Sequence, residues 1–217
     1  WKVTIRLMLD KDDIAGLERR KRATLSNCLT GLTPDVLAGN ADTKHATNLS
    51  IINSCFHVGA APALLGMIIR PAPAGTERHT LDNILATGQY TINAVNESMT
   101  RRAHHTSARF DRGQSEFDAC GLSERWLDGH AAPFVTDSPL QIGLTLQEHQ
   151  PLAINGTHLI IGSVESIQFA SEAWRADGTI DLALLGIVTG VGLDGYHLVG
   201  DGHRYAYAKP DTRPELI

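Results

Sequence analysis

Small polar side chains along one predicted strand are a feature of the sequence that could bind a ligand. The segment 48–58 (NLSIINSCFHV) carries Asn48, Ser50, Asn53 and Ser54 among apolar residues. Short hydroxyl and amide side chains let the polar edge of a planar ligand approach the strand backbone closely. The same side chains would suit a half-exposed strand whose polar face meets water, and the sequence alone leaves both interpretations open.

An arginine-bearing bend comes after this strand. The next apolar run ends at Arg70, and the segment 71–80 (PAPAGTERHT) adds Arg78, His79 and Thr80. Thr80 is predicted to cap a short helix, and a helix N-terminus with arginine and hydroxyl groups nearby favours an anion. Strand and bend together predict one cradle for a ligand with a planar ring and an anionic tail.

Other motifs in the sequence do not predict catalysis by the protein's own side chains. The segment 190–195 (GVGLDG) matches G-x-G-x-x-G, but only about two dozen residues follow it, so a glycine-rich surface loop is predicted instead of a βαβ unit. The adjacent His104 and His105 would not face one metal ion from a helix. Because no G-x-S-x-G occurs and no motif surrounds the cysteines, neither a metal site nor a catalytic residue is predicted.

The composition favours one globular domain that does not bind nucleic acid. The chain has 217 residues, a net charge of −5 and a pI near 6.0, whereas phosphate backbones attract basic surfaces. Its three cysteines are far apart, which predicts free thiols in a reducing compartment. The basic run 19–22 is interpreted as a solvated helix face. No apolar run is long enough for a bilayer and the first residues are charged, so a cytoplasmic protein is expected.

Many strands with short helices between them would have to position these residues. We predict helices over 10–22, 80–88, 98–105 and 115–121, strands over 23–30, 35–39, 48–58, 64–70, 89–95 and 140–147, and a hairpin over 152–169 that turns at Asn155-Gly156. Regular βαβ alternation is absent from this pattern, which therefore favours a mostly antiparallel barrel with peripheral helices. We expect residues 1–217 to form a single domain with a helical extension at about 10–22.

Three blocks of the sequence resemble a known family. The segments 48–71 (NLSIINSCFHVGAAPALLGMIIRP), 78–95 (RHTLDNILATGQYTINAV) and 103–122 (AHHTSARFDRGQSEFDACGL) are similar to the flavin reductase-like family of FMN-binding split barrels. They resemble in particular the branch that supplies flavin in two-component monooxygenases. The resemblance implies a six-stranded antiparallel Greek-key split barrel, a homodimer with FMN near the subunit interface, and a partner oxygenase.

The resemblance also implies which residues hold the cofactor. It assigns the flavin ring edge to Ser50, Ile51, Asn53 and Ser54, and more weakly to Asn48 and Cys55. It assigns the phosphate to Arg70, Arg78, His79 and Thr80, with Thr76 and Asn83 as lesser candidates. From the loop 105–110 it adds Ser107 and Phe110, which would lie near the flavin or the nicotinamide.

The implied activity is that of an NAD(P)H-dependent flavin reductase. FMN, or FAD as an alternative, would accept a hydride from the nicotinamide of NAD(P)H. Because the cofactor performs the redox chemistry, this step needs no general base from the protein. A non-catalytic FMN-binding electron carrier or sensor is the alternative function, and the sequence does not decide between the two.

Overall fold

Antiparallel strands with short flanking helices make up the fold. The computed structural model describes residues 7–73, 75–200 and 202–217. The α-helices are α1 Lys11–Gly16, α2 Arg19–Cys28, α3 His79–Thr87, α4 Thr100–His105 and α5 Glu116–Cys120. The strands are β1 Thr33–Pro34, β2 Val36–Ala41, β3 Thr47–Ile52, β4 Cys55–Ala60, β5 Ala63–Ile69, β6 Gln89–Ala94, β7 Glu124–Arg125, β8 Phe134–Val135, β9 Leu140–Pro151, β10 His158–Phe169, β11 Val188–Val191 and β12 Gly195–Leu198. No helix within these described ranges has both the length and the apolar character needed to cross a bilayer.

The main sheet has seven strands and closes on itself. Its order is β3-β2-β6-β9-β10-β5-β4, and every pair is antiparallel. The two outer strands, β3 and β4, are consecutive in the chain and are joined only by Asn53 and Ser54. Since neighbouring strands lie about 4.8 Å apart, two residues cannot cross a flat sheet of this width. The sheet therefore curls until its edges meet, and Asn53 and Ser54 lie where they meet.

A smaller sheet lies beside this closure. Its order is β1-β11-β12, and Thr33 of β1 pairs with Gly190 of β11. The segment 190–195 is thus part of an antiparallel hairpin, with Gly192 at a positive φ of 69° in its turn. The predicted glycine-rich loop corresponds to the turn 192–194, whereas Gly190 and Gly195 belong to the paired strands β11 and β12.

Two apolar clusters pack against the curved sheet. One contains Val36, Met67, Ile69, Leu81, Ile84, Tyr90, Ile92, Leu144 and Ile160. The other contains Leu37, Leu49, Val95, Met99, Ala103, Phe117, Cys120, Leu122, Val135 and Val188. Gly162 leaves room for the buried ring of Tyr90, since a Cβ atom at this position would overlap that ring.

The predicted antiparallel β fold with short peripheral helices is confirmed, whereas several local predictions are wrong. The segment 23–30 is not a strand, because most of it belongs to α2. The Glu18 carboxylate accepts hydrogen bonds from the amides of Arg20 (3.0 Å) and Lys21 (3.1 Å), so a capped helix begins at Arg19. The helical extension consists of two helices and continues to Cys28, beyond the predicted end at residue 22.

Two further differences concern the segments that the sequence predicts to bind a ligand. The segment 48–58 is not one strand, because the turn at Asn53 and Ser54 divides it into β3 and β4, and the sheet has seven strands where six were expected. Thr80 is not the N-cap of its helix: α3 begins at His79 and follows Arg78. The Thr80 hydroxyl instead forms hydrogen bonds with side chains of β3, so it does not cap the helix.

Candidate functional site

A cleft of about 740 Å³ lies at the place where the edges of the main sheet meet. Of the fourteen predicted site residues, twelve line it: Asn48, Ser50, Ile51, Asn53, Ser54, Arg70, Thr76, Arg78, His79, Thr80, Ser107 and Phe110. The structure therefore brings the polar strand and the arginine-bearing bend together in one cavity. The residues of the polar strand thus lie along a cleft, and their contact with a ligand stays a prediction.

Cys55 and Asn83 are not among the residues that line the cleft. Cys55 packs against the cluster that contains Tyr90, and burial raises the pKa of its thiol to about 11. Asn83 is buried on the inner face of α3, where its Nδ2 donates to Oδ1 of Asn40 at 2.9 Å. Both residues support the walls of the cavity from behind.

The turn between β3 and β4 supplies hydrogen-bond donors at one end of the cleft. Asn53 Nδ2 donates to the carbonyl oxygen of Gly192 at 3.1 Å, and Ser54 Oγ donates to the carbonyl oxygen of Ile68 at 2.9 Å. In the part of the chain that the structure describes, no acceptor lies within hydrogen-bond distance of the backbone amides of Asn53 and Ser54. These two amides are therefore free to donate to a ligand.

The outward amides of β3 itself are already occupied. The Leu49 amide donates to Oε2 of Glu116 at 2.9 Å, and the Ile51 amide donates to Oγ1 of Thr106 at 3.0 Å. Burial raises the pKa of Glu116, although the bond from Leu49 opposes this effect. Backbone contacts to a ligand are therefore left to the turn rather than to the strand. Thr106 and Glu116 both line the cleft, and sequence reasoning missed them.

A hydroxyl cluster joins the strand to the bend. Thr80 Oγ1 lies 2.8 Å from Ser50 Oγ and accepts a hydrogen bond from Asn48 Nδ2 at 3.1 Å. Thr80 and Asn48 are buried, so these bonds hold α3 against β3. Because α3 follows directly after the bend, the cluster sets the distance between the two ends of the cleft.

Three arginines bring positive charge to the cleft. Arg70, Arg78 and Arg109 line the cleft, and among the described residues no carboxylate lies within 4 Å of their guanidinium groups. Burial, together with the charges of Arg109 and Arg70, lowers the pKa of Arg78. Nη2 of Arg78 donates to the carbonyl oxygen of Pro71 at 2.9 Å, whereas its buried Nε has no partner among the described residues. The three arginines therefore concentrate positive charge in the cleft, and a bound anion would neutralise it.

The neighbouring Arg112 differs from these three. It donates to Glu77 Oε2 at 2.6 Å and to Asp82 Oδ2 at 2.9 Å, and these contacts hold the pKa of Glu77 below its usual range. Its charge is thus already compensated within the protein. Sequence reasoning missed both Arg109 and Arg112, although the quoted segment 103–122 contains them.

The β11–β12 hairpin closes the turn end of the cleft. Asp35 and Tyr196 lie in this wall, and Gly190 makes room for Asp35, since a Cβ atom at 190 would overlap its carboxylate. Burial raises the pKa of Asp35 to about 6. The Tyr196 hydroxyl lies 3.0 Å from Nδ1 of His104, and burial raises its pKa to about 12. Sequence reasoning missed Asp35 and Tyr196, which come to the cleft only through the pairing of β1 with β11.

The donor set fits a ligand that carries a ring and a phosphate. Among the described residues, two backbone amides and the buried Nε of Arg78 have no hydrogen-bond partner, and three arginines line the same cleft. The volume is within the roughly 300–1,000 Å³ of small-molecule sites. Flavin mononucleotide has this chemical layout, so the residues present fit that cofactor.

The comparisons with known proteins identify the family of the chain. Residues 34–183 match the family described as flavin reductase like domain. A solved structure from Shewanella frigidimarina, described as a flavin reductase with a split barrel domain, is 44% identical, with a TM-score of 0.89 over 94% of this chain and 100% of the other. No curated protein matches the chain.

More distant solved structures share the fold. Nitrilotriacetate monooxygenase component B from Bacillus cereus is 17% identical, with a TM-score of 0.80 over 92% of this chain and 98% of the other. Flavoredoxin from Desulfovibrio vulgaris is 21% identical, with a TM-score of 0.68 over 84% of this chain and 92% of the other. These structures confirm the split-barrel architecture.

Proposed function

Because the chain belongs to the flavin reductase-like domain family, its function is flavin-related, and we propose that it is an NAD(P)H-dependent flavin reductase that binds FMN in the cleft. One observation supports this proposal above the others. Among the described residues, the backbone amides of Asn53 and Ser54 have no hydrogen-bond partner and Arg70, Arg78 and Arg109 have no carboxylate partner, and all five residues line one cavity. A ring with an anionic tail would satisfy both the amides and the arginines.

The turn residues would orient the flavin ring and stabilise the negative charge that develops on it. Bound FMN would supply the hydride acceptor, and NAD(P)H the hydride. The amides of Asn53 and Ser54 would donate hydrogen bonds to the ring edge where negative charge develops, and such prearranged donors stabilise that charge strongly in a partly dry site. Asn53 and Ser54 have fixed side chains, so this part of the cleft is already organised before a ligand enters.

The remaining walls position the second substrate. Phe110 packs on the core cluster and contacts His105 edge to face, with 5.6 Å between ring centroids. It offers an apolar surface on which a nicotinamide could stack, and Ser107 adds a hydroxyl beside it. Holding the nicotinamide and the flavin in the correct relative position would contribute much of the rate of hydride transfer.

The proposal extends to the assembly. We expect a homodimer with FMN near the subunit interface, a cytoplasmic location in keeping with three free cysteines, and delivery of reduced flavin to an oxygenase. FAD is the alternative flavin, since the cleft is open to solvent beyond the arginines.

The test is an anaerobic absorbance spectrum of the purified protein with FMN, taken before and after the addition of NADH or NADPH. A reductase takes up FMN, loses the visible flavin absorbance with one of the two nicotinamides, and continues to reduce added free FMN. A carrier or sensor would bind FMN without sustained turnover. Protein that takes up no FMN would overturn the proposal.

A further inference from the structure

The C-terminal end of helix α2 contacts two residues of the cleft through one side chain. Asn27, the penultimate residue of α2, accepts a hydrogen bond on Oδ1 from Arg70 Nη2 at 3.2 Å. The same oxygen accepts a second bond from Asn53 Nδ2 at 3.3 Å. One atom thus contacts both Arg70 and the turn residue Asn53, so these two side chains are close neighbours. Because a guanidinium only donates hydrogen bonds, the amide oxygen is the atom that must face Arg70.

Asn27 is itself held in place. Its Nδ2 donates to the carbonyl oxygen of Ala23 at 2.7 Å, one turn earlier in α2. Arg22 ties α2 to the preceding helix through bonds from Nη1 to the carbonyl oxygens of Ala15 (2.8 Å) and Leu17 (2.9 Å). The Asn27 oxygen is therefore a fixed acceptor rather than the end of a mobile side chain.

The contact leaves most of Arg70 available. A guanidinium has five N–H donors in a planar fork, and Asn27 uses only one nitrogen. Arg70 is exposed at the end of β5, so without Asn27 its long side chain would sample many rotamers before it met a ligand. Fixing one nitrogen orients the remaining donors toward the cleft.

We propose that Asn27 is a positioning residue of the flavin site, which sets Arg70 and Asn53 in the orientation that receives the phosphate and the ring of FMN. This inference rests on the proposed function. Helix α2 precedes the matched range 34–183, so a segment outside the family domain would complete the site. In the basic run 19–22 of the same helix, the first three residues are exposed to solvent, whereas Arg22 is half-buried and ties the two helices together.

Two substitutions separate positioning from general damage. Asn27→Ala removes the acceptor, so FMN should bind about five- to tenfold more weakly and riboflavin, which lacks the phosphate, only about twofold more weakly. Asn27→Asp adds a carboxylate that pairs with Arg70 and competes with the phosphate. FMN binding should then fall by more than about tenfold, and added salt should reduce this penalty, because screening weakens the competing ion pair.

The experiment is a fluorescence titration of the full chain with FMN and with riboflavin. Ser26→Ala, an exposed neighbour on α2, is the matched control and should bind both flavins like the wild type. The Arg70→Ala background provides a second test: in it, Asn27→Asp should cost no more than Asn27→Ala. Circular dichroism of each variant checks that α2 is intact.

The outcomes are distinct. If Asn27→Ala and Asn27→Asp both bind FMN and riboflavin as tightly as the wild type does, the role of Asn27 is overturned and the proposed function is not. Equal losses for FMN and riboflavin, unchanged in the Arg70→Ala background, would also overturn that role, because they indicate structural damage. A wild-type chain that binds neither flavin would overturn this inference together with the proposed function.

Discussion

Replacing Arg78 by alanine tests the anion end of the cleft in the most informative way. Its Nε is buried without a partner, and its charge is repelled by Arg70 and Arg109. In the ligand-free protein the substitution loses one bond to the carbonyl oxygen of Pro71 and relieves this repulsion. We therefore expect the free energy of unfolding to change by less than about 1 kcal/mol.

Binding of FMN should respond much more strongly. A charge-assisted hydrogen bond to phosphate contributes about 1.5–3 kcal/mol, which corresponds to a rise of about 10- to 150-fold in the Kd for FMN. The Kd for riboflavin should stay within about twofold, since this contact involves only the phosphate. The difference between the two flavins isolates the phosphate contact from any change in ring binding.

Fluorescence titration of Arg78→Ala with both flavins measures these constants, and chemical denaturation measures the stability. Arg101→Ala is the matched control, because Arg101 is exposed on α4 and does not line the cleft. Equal weakening of FMN and riboflavin, or none for either, would refute the placement of the phosphate at Arg78.

Three further predictions concern other parts of the molecule. Arg70→Ala should raise the Kd for FMN by about 5- to 50-fold with little effect on riboflavin, and titration at two salt concentrations should show the FMN effect shrinking as salt rises. The pKa of Asp35 is about 6, above the roughly 3.9 of an unfolded chain, so its ionisation destabilises the fold as pH rises through 6. Asp35→Asn should therefore add about 1–2 kcal/mol more to the free energy of unfolding at pH 8 than at pH 4, whereas the exposed Asp194→Asn should show no such difference. Gly39→Ala should lower that free energy by about 1–3 kcal/mol in urea denaturation, since its Cβ would overlap a backbone carbonyl, while Gly113→Ala has open space and should change it little.

Much of the fold could be predicted because strand alternation and turn residues are local signals. The turn at Asn155-Gly156 connects two antiparallel strands as predicted, although β9 continues to Pro151 and residues 152–157 form the connection, and Gly88 adopts the left-handed conformation at the end of α3. The prediction of a strand from residue 23 is wrong because threonine and leucine suit either structure, whereas the Glu18 cap starts a helix that continues through this segment.

The candidate site could be predicted where its residues lie close in sequence. Two residues that were expected in the site do not line the cleft. The turn at 53–54 resets the alternation of the strand, so Cys55 packs toward the core rather than into the cleft. Asn83 shares the face of α3 with Thr80 but lies one turn further along the helix, where its side chain is buried against Asn40. Asp35 and Tyr196 depend on long-range pairing, which no segment of the sequence encodes by itself.

A crystal structure of the protein with bound FMN is the most direct test of the central claim, which is that one cleft holds the ring at the 53–54 turn and the phosphate at the arginines. We expect the phosphate oxygens to lie within hydrogen-bond distance of Arg78 Nε and Arg70, and the ring edge to lie against the backbone amides of Asn53 and Ser54. FMN bound in another cavity, or bound here with its phosphate at the turn, would contradict it.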